Sequence, residues 1–219
     1  ISASTGLRFE LRYCPALQEK RTEPPAGNPF LPFDANLWVD DLPHDHVLLF
    51  NKFCVVPHHL LVIPREFEAQ TAPLGAHHFA VVAEAARRHL PTGYLAFYNG
   101  GVNAGASQPH RHFQLIPSMT CLVDQAMERG ITLPFAHKLA MVGDPADWYA
   151  TYLTMAEADC FSLLFTDRWM MLIPRPAVAN PWSLNSLAFA GYLLAKTEAH
   201  LQAMQASDPM TILIQLASK

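Results

Sequence analysis

The stretch NAGASQPHRHFQLIP, residues 103–117, sets two histidines and a glutamine at alternate positions, directly after a run of small residues. Side chains on a β-strand point to opposite faces with a period of two. If residues 110–116 are extended, His110, His112 and Gln114 share one face, while Arg111, Phe113 and Leu115 share the other. The polar trio can then line a site while Phe113 and Leu115 pack into a core. Pro117 closes the strand.

That pattern suits chemistry at phosphorus. A histidine can attack phosphorus and carry the transferred group covalently, which splits one difficult displacement into two. The attacking nitrogen must be unprotonated, and a hydrogen bond to the other ring nitrogen fixes that tautomer. A glutamine can donate its amide N–H to a nonbridging phosphate oxygen. The preceding loop lacks bulk at Gly100, Gly101, Ala104, Gly105, Ala106 and Ser107. Backbone N–H groups there can approach phosphate oxygens as an anion nest. Ser107 adds a hydroxyl, and Asn99 stands where the chain enters the loop. The same spacing also suits surface histidines or half of a zinc site. From the residues alone the reading therefore stops at a phosphate-binding site.

Outward from this strand, short apolar runs at 47–50, 54–57 and 60–63 read as a strand meander, and residues 21–36, rich in Pro and Gly, as a surface loop. Residues 75–90 change to a helical period, with Phe79, Val82, Ala83 and Ala86 on one stripe and Pro91 as the stop. Residues 94–98 read as a strand, and 118–145 as irregular with a short helix near 124–129. A helix is expected over 147–157, with Asp144 as cap and Pro145 at its start. Residues 161–166 and 169–173 read as a hairpin about Asp167-Arg168. The longest helix is expected over 183–205, and 210–216 as a last strand. VLLFNKFCVVPHHLLVIPRE (47–66) and FSLLFTDRWMMLIPRP (161–176) echo one another as strand, turn, strand, Ile-Pro-Arg.

Composition narrows the classes. The 219 residues suffice for one good-sized core or two small lobes sharing one. Apolar residues make up 51% and charged ones 16%, which excludes a disordered chain. A net charge of −4 gives no basic field for a nucleic acid polymer, so an anionic ligand must be held by a few placed groups. No apolar run reaches the roughly 20 residues of a membrane helix. Cys14, Cys54, Cys121 and Cys160 lie far apart and form no C-x-x-C pair, so they read as reduced, mostly buried thiols of a cytoplasmic protein. The chain opens on Ile1, so residues are expected to precede it. His137 and His200 stand alone and read as surface or packed residues.

The signature around His110–Gln114 resembles that of the diadenosine polyphosphate phosphorylases, also called ATP adenylyltransferases, within the wider histidine-triad superfamily. In that branch glutamine replaces the third histidine of the hydrolases, as Gln114 does here. NPFLPFD, LLFNKF, HHLLVIPREFEAQT, AFYNGG and NSLAFAGYLLAK also resemble segments of this family, in its order, from about Lys20 onward. The resemblance implies an α+β fold with an antiparallel sheet and flanking helices, built of two related halves, 1–119 carrying the chemistry and 120–219 completing the site. It implies that inorganic phosphate cleaves diadenosine tetraphosphate to ATP and ADP, with adenylyl transfer as the reverse. His112 matches the nucleophile, His110 a supporting position and Gln114 the holder of the phosphate oxygens. Lys20, Asn51 and Lys52 match nucleotide-contacting positions. Asn99, Gly105, Ala106, Ser107 and Gln108 match the phosphate loop, and Asn185, Ser186, Leu187, Tyr192 and Lys196 a C-terminal contact segment. Surface cations would equally explain Lys52 and Lys196, core packing Leu187, and a helix cap Asn185. Lys20, Lys52 and Lys196 are the placed cations that an acidic chain needs. Magnesium accompanying the substrate's phosphates is compatible with this. No carboxylate cluster marks a metal site, so no tightly bound cofactor and no protein-held catalytic metal are expected. A monomer is expected, because a fused double half already supplies the second lobe.

Three other functions compete with this one. Sugar-nucleotide uridylyltransferases place Pro between the histidines, where this chain has Arg111. Dinucleoside polyphosphate hydrolases carry His where this chain has Gln114. A non-catalytic dinucleotide sensor would have no need of His112.

Overall fold

The polar strand occupies the middle of a broad sheet. The computed structural model describes residues 1–19, 28–156, 158–177 and 181–217. In chain order its elements are β1 (Glu10–Tyr13), α1 (Ala16–Glu19), β2 (Trp38–Leu42), β3 (His46–Phe50), β4 (Leu60–Pro64), α2 (Ala76–His89), β5 (Tyr94–Gly100) and β6 (Phe113–Pro117). There follow α3 (Leu122–Arg129), β7 (Lys138–Met141), α4 (Trp148–Met155), β8 (Phe161–Phe165), β9 (Trp169–Pro174), β10 (Tyr192–Ala195), α5 (Glu198–Gln205) and α6 (Pro209–Leu216). Eight strands form one antiparallel sheet in the order β2-β3-β4-β6-β5-β8-β9-β7, and β1 pairs separately with β10 in parallel. The expected α+β class with flanking helices is what forms.

Strand alternation divides the sheet's side chains between two layers. Ala96, Tyr98, Phe113, Leu115, Leu163 and Phe165 pack beneath α2 and α4 with Phe79, Val82 and Trp148. On the other face Phe97, Leu164, Met171 and Ile173 pack against α3, the 186–190 turn, β10 and α6. A smaller patch on that face, Val47, Leu49, Leu61 and Ile63, is completed by Phe30, Phe33 and Leu37. Gln114 stands opposite Leu61 on β4 and opposite Phe97 on β5. It therefore falls between the two apolar patches, and the open place on that face is set by sheet register.

Both echoed segments are antiparallel hairpins, β3–β4 and β8–β9, on either side of the central β6–β5 pair. The sheet runs unbroken across residues 119 and 120, because β5 pairs with β8.

Several expectations fail, each for a physical reason. Residues 54–57 form no strand: Asn51 caps the backbone N–H of Phe53, and Pro57 precedes His58 at φ +56, which bends the chain into a loop. Residues 118–145 are not wholly irregular, since β7 forms on the sheet edge beside β9. The stretch 183–205 is not one helix. A 3-10 turn at Ser186–Ala190 stops at Gly191, whose φ of +103 only glycine adopts readily. The chain then leaves as β10, and Thr197 caps the separate helix α5. Residues 210–216 are helical: Asp208 accepts from the N–H of Met210, Pro209 sits at the first turn, and the apolar run is buried as a core helix. β6 begins at Phe113; residues 110–112 lead into it, with one bridge between His110 and Ala69. The thiols are unpaired, but only Cys121 is buried, and Cys54 is exposed. Lys20 and residues 21–27 of the expected loop lie outside the described residues.

Candidate active site

His112, Gln114 and the loop before them line a cleft with two lobes. One lobe, about 370 Å³, is walled by Phe30, Phe33, Leu49, Leu61, Lys52 and His112. The other, about 350 Å³, is walled by Asn99, Gly105, Ala106, Leu184, Asn185 and Lys196. Asn51, Phe53, Ser107 and Gln114 face both. A larger hollow, about 820 Å³, lies between α2 and the start of α4, lined by Ala80, Tyr94 and Tyr149. It touches none of the motif residues, and its size alone gives it no chemistry.

The ring of His112 is oriented through its backbone neighbour. Nδ1 lies 2.9 Å from the carbonyl oxygen of His110. A carbonyl only accepts, so Nδ1 carries the proton and Nε2 the lone pair. The ring is 4% exposed and packs 5.5 Å from the Phe30 ring. His110 is wholly buried and lines neither lobe. Its Nε2 donates to the carbonyl of Pro64 at 3.0 Å, and its Nδ1 accepts from Asn28 at 2.8 Å. Burial pushes its pKa down, which keeps it neutral. Its carbonyl orients His112, while its ring fastens the strand to β4.

Gln114 reaches the cleft with its amide already assigned. Its Oε1 lies 2.9 Å from Nε2 of His59, so His59 is the donor and the NH₂ group remains the donor end of Gln114. The Asn51 amide nitrogen lies 3.2 Å from that same Nε2 and 3.4 Å from Nδ1, and with the proton on Nε2 only Nδ1 can accept from it. The sequence reading missed His59, although its parity was available: two residues before Leu61, it faces the same side as Leu61 and Gln114.

Gln70 was also missed. It is buried, accepts from the N–H of His112 at 2.8 Å and donates to the carbonyl of Asn99 at 2.8 Å. One side chain thus closes both ends of the small-residue loop. No local pattern marks such a residue. Arg111, on the face away from the polar trio, is buried and forms an ion pair with Glu68. It also donates to the carbonyls of Ala69, Ala72 and Pro73, which fixes residues 68–73 against the histidine segment. His46, Glu68 and His78 have the spacing of metal ligands. The Arg111 guanidinium, 2.6 Å from Nε2 of His78, already occupies that cluster as its cation.

The glycines serve packing more than ligand approach. A Cβ on Gly105 would lie 2.7 Å from Cα of Asn185, and one on Gly101 would lie 2.8 Å from Sγ of Cys160. Gly105 therefore lets the loop rest directly on the C-terminal wall. Gly105, Ala106 and Ser107 still face the cleft.

The remaining candidates divide. Asn51, Lys52, Asn99, Ser107, Gln108, Asn185 and Lys196 all line the cleft. Asn99 accepts from the N–H of Ser186, and Lys196 donates to Ser183. Asn185 caps the 3-10 turn as well as facing the second lobe. The Ser186 side chain is buried on the carbonyl of Tyr98, and Leu187 packs in the core, so neither side chain is brought to the cleft. Tyr192 lines a separate hollow with Arg8 and Glu10.

Two family profiles match the chain: the Ap4A phosphorylase N-terminal domain over residues 11–141, and the ATP adenylyltransferase C-terminal domain over 131–219. Diadenosine tetraphosphate phosphorylase 2 of Saccharomyces cerevisiae is 32% identical over 128 residues, covering 51% of this chain. The match spans 39% of that protein, less than half its length. The crystal structure of yeast Ap4A phosphorylase Apa2 with Ap4A superimposes with a TM-score of 0.73 at 23% identity, covering 94% of this chain and 84% of that one. The same enzyme with AMP gives 0.71 at 26% identity, covering 88% and 82%.

Proposed function

We propose a reaction from one premise, that this chain belongs to the Ap4A phosphorylase family: inorganic phosphate cleaves diadenosine tetraphosphate to ATP and ADP, reversibly as adenylyl transfer. One adenosine lies in the aromatic and aliphatic lobe of Phe30, Phe33 and Leu61. The phosphate chain crosses the ridge at Ser107 and Gln114 toward Asn185 and Lys196. Nε2 of His112 attacks the α-phosphorus; an N–P bond forms, the P–O bond to the rest of the chain breaks, and ATP leaves. An oxygen of inorganic phosphate then attacks the same phosphorus. The N–P bond breaks and ADP leaves. The proton stays on Nδ1 of His112, donated to the His110 carbonyl, which supports positive charge on the ring while phosphorus is attached. The amide of Gln114 donates to the oxygens on which charge builds.

The observation that carries this reading is the tautomer lock. The His110 carbonyl leaves Nε2 of His112 as the nucleophilic nitrogen, in a cleft that Gln114 shares. On this reading residues 1–119 supply the chemistry and 120–219 the far wall. Magnesium would travel with the substrate's phosphates. The unpaired cysteines support action in the cytoplasm, and one chain supplies both lobes, so a monomer suffices. Among the described residues no helix is long and apolar enough to cross a membrane.

Incubation with diadenosine tetraphosphate, with and without phosphate, tests the assignment. Phosphate-dependent release of ATP and ADP is expected, with acid-labile labelling of the protein by adenine-labelled substrate. Cleavage driven by water would make it a hydrolase, and binding without label or turnover a sensor.

A further inference from the structure

Arg65 and Arg175 close the two echoed hairpins with the same Ile-Pro-Arg, yet they sit differently. Arg65 is partly exposed and pairs with Asp41 and, at 3.8 Å, with Asp45. Arg175 is 5% exposed. Its Nη1 donates to Oγ of Ser162 at 3.0 Å, its Nη2 to the carbonyl of Leu184 at 2.9 Å, and its guanidinium lies 5.4 Å from the Phe189 ring centre. Among the described residues no carboxylate pairs with it, whereas the other buried arginine, Arg111, has Glu68. A buried cation without a counter-ion is costly, and neutral acceptors with an aromatic face compensate only part of that. Burial lowers its pKa to about 10, so it remains charged at neutral pH.

Both of its hydrogen bonds lead to the cleft. Ser162 stands directly opposite Asn99 where β8 pairs with β5. Leu184 lines the second lobe beside Asn185. Each protein acceptor is one residue removed from where the substrate's phosphates would lie, and charges separated by protein instead of solvent are weakly screened.

We propose that Arg175 is a positioning residue of the polyphosphate subsite: it braces the wall at Leu184–Asn185 and supplies a fixed positive charge whose counter-ion is the bound polyphosphate. This rests on the reading of the cleft given above and narrows it, because affinity must then rise with ligand charge through this one group.

Titration calorimetry of wild type, Arg175→Met and Arg175→Lys with adenosine, AMP, ADP and ATP provides the test, with circular dichroism as the check on folding. The methionine variant should bind adenosine nearly as wild type does and lose progressively more along the series, about 10-fold for ATP. The lysine variant should keep the charge dependence. Equal losses for all four ligands, or none, overturn the inference and leave the phosphorylase reading standing. A wild type that binds none of the four overturns both. Should Arg175→Met fail to fold, Ser162→Asp supplies the missing counter-ion with the guanidinium in place. It should produce the same graded loss, and an ungraded result there is equally fatal.

Discussion

The β3–β4 and β8–β9 hairpins have similar sequences and the same pairing, and they flank the central strands from opposite sides. They differ in what joins their strands. Phe50 and Leu60 are joined by a loop that turns Asn51, Lys52, Phe53 and His59 into the cleft. Phe165 and Trp169 are joined by a tight turn in which Oγ1 of Thr166 accepts from the N–H groups of Arg168 and Trp169. None of those three residues lines the cleft. The strands are thus a shared solution to packing, and the connection decides whether a hairpin's turn faces the cleft or only closes the sheet.

That contrast can be broken by mutation. His112→Ala should abolish phosphorolysis, with kcat down at least about 10³-fold, because the covalent step needs its Nε2; detectable adenylylation of this variant would remove His112 from its role. Gln114→Ala should lower kcat on the order of 10²-fold, the usual loss of one oxyanion donor, with little change in KM. His59→Ala acts through Gln114, by freeing its amide to rotate, and should cost about 10-fold in kcat, the equivalent of one neutral hydrogen bond. A His59→Ala enzyme with normal turnover would make the first loop as dispensable as the second turn. Thr166→Ala should leave kcat untouched and lower stability by about 1–2 kcal/mol in denaturant melts. A loss of activity at constant stability would contradict the division drawn here.

The smallest effect concerns acid. Burial lowers the pKa of His46, His78 and His110, and His78 falls to about 4. The unfolded chain takes up these protons near the ordinary histidine value of about 6.5, before the folded chain does. Stability is therefore present above that value and is lost as pH falls from about 6.5 toward 4. Denaturant midpoints should decline over this window, and less steeply for His78→Gln. A variant as steep as wild type would place the loss on other groups.

Local pattern carried some of the site a long way. His112 and Gln114 face the cleft while Phe113 and Leu115 pack beneath α2, although β6 itself starts only at Phe113, and His110 is buried behind the cleft. Asn51 and Lys196 were found by resemblance and Ser107 already from the low-bulk loop, and the structure brings them to one cleft. Ser186 and Leu187 lie in the same matching segment, but their neighbours turn them into the core. A single sequence does not show that Glu68 and three carbonyls will surround Arg111.

By itself the sequence determined the alternation of polar and apolar residues along the central strand, the α2 stripe, the two hairpins and the cap at Asp144. All of these depend on contacts within a few residues. Only the tertiary structure decided that residues 192–195 are a strand and 209–216 a helix, since short apolar runs take the form their packing partners impose: β1 beside β10, and the sheet's apolar face beneath α6. It also decided where the apolar face opens. The register that sets Gln114 between Leu61 and Phe97, and the approach of Gly105 to Asn185, join residues too far apart in the chain for any local rule to fix.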